Sequence, residues 1–346
     1  MNVSVVYALA AAALFGASTP LAKLLGLGID PLLLAGLLYL GSGLGLAVTR
    51  MIHDRGWHAS GLTRQEWPWL IGAIAFGGVL GPALLMFGLM RTAGATASLM
   101  LNLESVLTAL LAWVVFKENA DRRIVAGMIA IVLGGLVLSW SQQNQGAQDW
   151  LGPGAIALAC LCWAIDNNLT RKVSASDALF VAGSKGLVAG LVNCSLALLL
   201  GSRLPDLALL APTLLVGFLG YGVSLVLFVL ALRGLGSART GAYFSTAPFL
   251  GAAISMLLLN EPAAPLFWVA SALMGVGVWL HLTENHAHVH QHTSLEHGHR
   301  HVHDEHHQHQ HAFTWDSAVP HSHDHAHAPL QHSHSHFPDV HHRHRH

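Results

Sequence analysis

Three ionisable residues, Glu104, Asp166 and Lys185, sit inside long apolar runs of this 346-residue chain. A charge in such a setting is costly, and by default it marks an ion path, a proton relay or a buried polar contact. Glu104 has Asn102 two residues before it and Thr108 one turn after, near the middle of its run. A carboxylate there can exchange a proton for a cation; the competing reading is a protonated acid that locks two helices together. Asp166 opens the triplet Asp166-Asn167-Asn168 and shares a helical face with Cys162 and Thr170. A substrate contact through Asp166 and Asn167 competes with a plainer pairing of Asp166 with Arg171 or Lys172 near the membrane surface. Lys185, within Ala182-Gly183-Ser184-Lys185-Gly186, is either a counter-ion for Glu104 or Asp166 or a lysine that snorkels to the interface. Unpaired, it would repel a metal cation.

A second chemistry lies at the C-terminus. Residues 281–346 hold 24 of the 26 histidines, mostly as His-x-His ladders. These run through His286, His288, His290 and His292, then His297, His299, His301 and His303. His306, His307, His309 and His311 follow, then His321, His323, His325 and His327, then His332, His334 and His336. Alternate residues of an extended chain project to one side, so neighbouring imidazoles can chelate one ion. Imidazole suits zinc, nickel, copper and cobalt. With few apolar residues the segment is expected to be disordered without metal. Two plain readings compete: sequence drift without a role, and a tail that responds to pH because histidine titrates near neutrality.

The elements that must carry these groups follow from composition. Hydrophobic residues make up 53% of the chain and charged ones 10%, with a mean hydropathy of +0.50. A soluble domain carries roughly 25% charged residues, so a cytosolic enzyme is excluded and an integral membrane protein is indicated. The body up to residue 280 has a net charge of +3 and the tail −4 with neutral histidines, without the basic excess of a nucleic-acid binder. Cys160, Cys162 and Cys194 lie in apolar runs and read as small buried residues rather than ligands. Met86, Met90 and Met100 read as core filling, and Trp67, Trp69, Trp113, Trp140 and Trp150 as an interfacial belt. There is no nucleophile elbow, phosphate loop or paired-carboxylate signature, so no enzyme is expected.

A span needs about 20 mostly apolar residues. Ten runs qualify: 3–25, 31–49, 67–90, 95–116, 123–140, 151–170, 177–200, 209–232, 237–259 and 265–282. The first reads as a retained helix, since no basic stretch precedes it. Loops are expected at the polar breaks, including Arg233 to Ser237. With the N-terminus inside, inward loops hold Arg50, Arg55, Arg64, Lys117, Arg122, Arg123, Arg171, Lys172, Arg233 and Arg239, against Lys23, Arg91 and Arg203 outside. Both termini are therefore expected in the cytoplasm.

The chain also repeats itself. Phe87 to Gly94, with Arg91, matches Phe228 to Gly236, with Arg233, and each is followed by a span ending on an acid, Glu118 or Glu261. Leu14-Phe15 through Lys23 aligns with Cys162-Trp163 through Arg171, which sets Ser18, beside Thr19, against Asp166. Two halves of five spans must insert with opposite topology, the inverted repeat of secondary transporters. The expected fold is thus an all-α membrane protein of ten transmembrane helices in two inverted five-helix repeats, 1–145 and 146–282, with a disordered cytoplasmic tail, 283–346.

These features resemble the EamA family of the drug/metabolite transporter superfamily over about residues 3–282. The resemblance rests on Gly16-Ala17-Ser18-Thr19-Pro20, the Arg91 and Arg233 turns, and the acids Glu118 and Glu261. Ser105 stands where the second half has Pro248, a departure within the first half. The resemblance implies an inner-membrane carrier, proton-coupled or facilitative, for amino acids, metabolites or drugs. Combined with the tail, the first expectation is a bacterial inner-membrane exporter of a divalent transition metal such as nickel, cobalt or zinc. The alternative is an amino-acid, metabolite or drug exporter with an incidental or regulatory tail. No cofactor is required; a divalent metal is cargo or tail ligand. The partners are the lipid bilayer and the cargo, with a homodimer left open. Reporter fusions at residues 55, 120 and 285 should all report the cytoplasm, and one at 146 the outside. An exterior signal at 285 would break the span count.

Overall fold

Continuous apolar runs become helices because hydrocarbon offers no partner to a backbone N–H, so each segment must satisfy its own. The computed structural model describes residues 3–54, 62–116, 122–143, 150–170, 173, 178–283, 286–292, 295–301, 321–327 and 330–336. The first half contains α1 (Val3–Leu25), α2 (Pro31–Asp54), α3 (Trp67–Ala73), a π-helical segment (Ile74–Leu80), α4 (Gly81–Leu89), α5 (Gly94–Met100), α6 (Leu103–Phe116) and α7 (Arg122–Gln143). The second contains α8 (Leu151–Thr170), α9 (Ala178–Leu199), α10 (Leu207–Gly217), a second π segment (Phe218–Val223), α11 (Ser224–Phe244), α12 (Ala247–Leu259) and α13 (Pro265–Leu282).

Local chemistry sets the ends. Asp30 caps α2, its Oδ1 accepting from the N–H of Leu32 at 3.0 Å and of Leu33 at 3.3 Å, with Pro31 as the first helical residue. Asp206 caps α10 through Leu209 N at 3.1 Å. Asn260, at φ 50°, ends α12 in the left-handed conformation that asparagine tolerates.

Among the described residues, seven segments are long and apolar enough to cross a membrane: Val3–Leu25, Pro31–Ile52, Trp67–Leu89, Gly94–Val115, Arg122–Trp140, Leu179–Leu199 and Leu207–Ala231. Of the other three expected spans, α8 closes on Asp166-Asn167-Asn168, which dilutes its apolar character. Ala247–Leu259 and Pro265–Leu280 are shorter apolar helices.

Two expectations need correction. The break at Arg233 to Ser237 is absent: α11 runs through it, because glycine weakens a helix without removing its hydrogen bonds, and the chain breaks instead at Ser245-Thr246, before Pro248. The fourth span is broken at Leu101-Asn102, and the third and eighth are interrupted by π segments rather than being uniform α-helix. Parts of the tail are extended. His286–His292 pairs antiparallel with Leu330–His336, and Leu295–His301 with His321–His327. Their His-x-His pattern has the two-residue period of a strand. Of the tail histidines named above, His303, His306, His307, His309 and His311 lie outside the described residues.

The two halves interleave. α1 packs on α11 and α12, α8 packs on α4 and α6, and α2 lies along α9. The α2–α9 contact is backbone against backbone: a Cβ on Gly186 would meet Gly43 N at 2.6 Å, and one on Gly190 would meet Leu40 N at 2.5 Å. Small residues at four-residue spacing allow this approach. Leu33, Leu34, Leu38, Leu85, Leu89, Leu99 and Ile156 fill the interior. Ile71, Leu158, Leu191 and Leu257 are exposed, as side chains facing acyl chains would be. So are Trp67, Trp69, Trp113, Trp140 and Trp150.

Candidate functional site

Asp166 lies near the end of α8, 5% exposed, and faces the first π segment. Lys185, about two turns into α9, donates to both of its oxygens, at 2.7 Å to Oδ1 and 2.5 Å to Oδ2. Thr170, one turn further along α8, donates to Oδ1 at 2.8 Å. A buried charge needs such a partner, since the ion pair and its extra hydrogen bond offset desolvation. Lys185 is therefore the counter-ion of Asp166 rather than of Glu104, and it does not snorkel. Arg171 and Lys172, the other partners considered for Asp166, lie outside the described residues.

Glu104 stands in the first turn of α6, half-buried, just after the break at Leu101-Asn102. Its Oε1 accepts from Asn167 Nδ2 at 2.8 Å, and the same amide lies 3.4 Å from Thr108 Oγ1. Consecutive residues of α8 thus hold both carboxylates: Asp166 through its own ion pair, Asn167 through its contact with Glu104. Among the described residues no ammonium or guanidinium is within ion-pair distance of Glu104.

Asn102 does not join this group. Its amide donates to Leu99 O at 2.9 Å while its carbonyl accepts from Ser105 Oγ at 2.8 Å, so it closes the helix break. Ser105 is thereby given a role at the position where Pro248 opens α12. Ser18 donates to Phe15 O at 2.6 Å and packs on the second π segment, and Thr19 is buried beside it.

The sequence reading missed the π segments and the aromatic residues that serve them. A π turn leaves carbonyls without their usual partner. Gly77 O accepts from Tyr39 Oη at 2.9 Å and from Trp163 Nε1 at 3.0 Å, and Gly78 O and Val79 O each lie 3.3 Å from Asn193 Nδ2. The π segments occupy equivalent places: Phe76-Gly77-Gly78 and Phe218-Leu219-Gly220 stand at the same distance before Arg91 and Arg233. A Cβ on Gly77 would collide with the Asp166 carboxylate, and one on Gly220 would lie 2.6 Å from Ser18 Cβ. Each half thus rests the polar residue of its first helix on a π-segment glycine of the other half. The available signal was glycine inside an apolar run, Gly77-Gly78 and Gly220-Tyr221-Gly222. Tyr39 and Tyr221 add a ring contact above this level, their centroids 5.5 Å apart.

Among the described residues, no group of three or more His, Cys, Asp or Glu side chains could hold a metal.

Two interleaved halves, matched π segments and a paired charge inside the bundle are the features of a polytopic carrier built from two repeats. The EamA-like transporter family is matched over residues 2–140 and again over 150–283, and the chain belongs to this family. It is 27% identical over 285 residues to an uncharacterized transporter of Methanothermobacter thermautotrophicus, covering 77% of this chain and 82% of that protein. It is also 41% identical over 108 residues to a probable 4-amino-4-deoxy-L-arabinose-phosphoundecaprenol flippase subunit, ArnE, of Pseudomonas paraeruginosa, covering 30% of this chain and 90% of that subunit. A solved crystal structure superposes with a TM-score of 0.61 at 17% identity, over 80% of this chain and 94% of the other, and shows the same fold. The protein is thus a multi-pass membrane transporter, and these relatives are named as transporters or flippase subunits, not enzymes.

Lys185→Met should strand the Asp166 carboxylate and cost on the order of 3–5 kcal/mol of stability. Adding Asp166→Asn should recover most of the loss. Thermal unfolding of the wild type and the two variants, purified in detergent, checks this; a double variant no more stable than Lys185→Met would mean that the pair is not the interaction lost.

Proposed function

We propose that the protein is a proton-coupled exporter of the inner membrane in which Glu104 trades a proton for a cationic group on the cargo. The observation that carries this is the contrast between the two carboxylates. Asp166 is neutralised by Lys185, whereas Glu104 is held by a neutral amide and stands half-open beside that pair. A carboxylate in that position binds one positive charge at a time, a proton or a cargo cation. The cargo class that fits is a small organic metabolite bearing an amine, such as an amino acid, with Tyr39, Trp163 and Tyr221 near the same level to receive its apolar part. The ArnE-type relatives, named for an amino sugar, agree with an amine-bearing cargo. Ten crossings with both termini inside remain part of this proposal.

Glu104→Gln keeps size and hydrogen bonding but cannot change charge, so it should insert normally and abolish export. Glu104→Asp should keep part of the activity. The readout is resistance of cells carrying each variant to a panel of inhibitory amino-acid analogues, amines, nickel, cobalt, zinc and copper. Full protection by Glu104→Gln at normal expression would remove this residue from coupling and pass the role to Asp166.

A second reading, export of a divalent transition metal, rests on the tail. In both ladders the register sets histidine opposite histidine: His286 with His336, His288 with His334 and His290 with His332, and likewise His297 with His325, His299 with His323 and His301 with His321. Opposed positions on an extended ladder suit chelation of one ion by two imidazoles, and a cytoplasmic tail would collect metal before export. Truncation after Thr283 should leave insertion intact. If metal is the cargo, truncation should lower nickel or cobalt tolerance mainly at low metal; an unchanged tolerance profile for all four metals on deletion of the gene would leave the organic cargo alone.

A further inference from the structure

The acid that closes the ninth apolar run, Glu261, is not part of the site described above. It lies after α12 and reaches across to the first half. Its Oε1 accepts from the N–H of Gly94 at 2.7 Å and its Oε2 from the N–H of Ala95 at 2.8 Å. Lys23, near the end of α1, lies 3.8 Å from Glu261 Oε1. The same ammonium donates to Leu89 O at 3.3 Å and to Thr92 O. One carboxylate and one ammonium thus tie together α1, the turn between α4 and α5, and the loop after α12.

Directly inside this cluster the packing is polar and unsatisfied. Thr92, Ser98 and Ser255 are 2%, 1% and 0% exposed, and none of their hydroxyls has a hydrogen-bond partner. Thr92 Oγ1 lies against Gly152 of α8, whereas Ser98 and Ser255 face Gly251 and Gly94; buried hydroxyls normally find partners, so two orphans along the α5–α12 seam need a reason. Beside Glu261 lies a small cavity of about 40 Å³, bordered also by Ala95, Thr96, Met256 and Phe267, with room for on the order of two or three waters. Deeper still, α1 and α12 touch through glycines: a Cβ on Gly251 would lie 2.7 Å from Gly16 O and 2.9 Å from Ser98 Oγ. Asn102, one turn beyond Ser98, begins the segment that carries Glu104.

We propose that Lys23, Glu261 and the Thr92–Ala95 turn form the latch of the outer exit route, which runs between α1, α5 and α12 past Ser98 and Ser255 and is shut in this structure. Opening separates the Gly16–Gly251 seam and lets water or cargo meet the Ser98 and Ser255 hydroxyls. Lys23 and Glu261 hold the closed state because each bonds a segment that must part from the others. The inference rests on the carrier reading but not on Glu104 or on any particular cargo.

The test is site-directed labelling. Ser255→Cys is placed in a background lacking Cys160, Cys162 and Cys194, and a membrane-impermeant maleimide is applied to either side of oriented vesicles. With the latch intact, labelling from outside should be slow. Lys23→Met, which leaves Glu261 its two backbone bonds, should speed it about tenfold, equivalent to about 1.4 kcal/mol in the opening equilibrium. Glu261→Gln should speed it at least as much. Ser139→Cys, buried in α7, reports general loosening and should stay unlabelled throughout. Unchanged Ser255→Cys labelling in both latch variants overturns the proposal, as does a parallel rise at Ser139→Cys or labelling confined to the tail side. Full transport by Glu104→Gln alongside normal latch opening would sink the coupling role alone.

Discussion

An ammonium and a carboxylate buried in a helical bundle must stay in contact, and much of the centre of this molecule is arranged around that requirement. Asp166 and Lys185 satisfy it at 2.5 Å, between two helices of the second half. The carboxylate can occupy that place only because Gly77 of the first half offers no side chain there. Gly77 in turn lies in a π segment whose carbonyls need donors, and Tyr39, Trp163 and Asn193 supply them. One charge pair therefore fixes residue choice on α2, α8, α9 and the first π segment. With that pair internally matched, the adjacent Glu104 is held by a neutral amide, Asn167, and has no cationic partner among the described residues.

The repeat makes the asymmetry informative. Both halves set a polar residue of the first helix against a glycine of the opposite π segment, Asp166 on Gly77 and Ser18 on Gly220. The scaffold is thus duplicated, but the charge is not: Ser18 turns its hydroxyl back to Phe15 O and needs no counter-ion. A symmetrical rocking motion can use both contacts as bearings, because glycine on one side keeps each contact close without interlocking side chains. Only one of the two bearings also holds ions. Binding chemistry and mechanical symmetry are in this way separable in the same pair of contacts.

The helices were legible because hydrocarbon demands length and apolarity, both of which can be read directly from residues 3–282, and the family features rested on motifs in the same stretch. The π segments were not, since a π turn differs from an α turn by one extra residue and leaves the apolar pattern intact; glycine pairs were the sole trace. The extension of α11 through Arg233 to Ser237 was missed because glycine and polar residues mimic loop composition when the only test is hydropathy. Glu104, Asp166 and Lys185 were legible as charges out of place. Which of them pair was not, because Asp166 on α8 and Lys185 on α9 are 19 residues apart, and spacing does not say how two helices pack. Asn102 is close to Glu104 in sequence, but the break at Leu101-Asn102 turns its amide to Leu99, which spacing alone does not reveal.

The latch residues and the central site also differ in how strongly each should resist opening. Asp166 and Lys185 are paired at short distance with exposures of 8% and 18%, and both belong to the second half. Their contact need not break when the halves move. Lys23 and Glu261 are longer-paired, at 3.8 Å, and they join different halves. An interaction that spans the moving boundary has to be weak enough to break on each cycle, and a loose pair supported by backbone hydrogen bonds meets that condition better than a tight bidentate one. The internal alignment sets Arg171 against Lys23 and Glu118 against Glu261. These two positions lie outside the described residues, but at the level of sequence the same pair of charges recurs with the halves exchanged, the basic residue in the second half and the acid in the first. A carrier that alternates between two faces needs matched closing forces at each, or one state would dominate the population. Duplicating a lysine or arginine and an acid at the ends of equivalent helices is the simplest way for an inverted repeat to encode that balance.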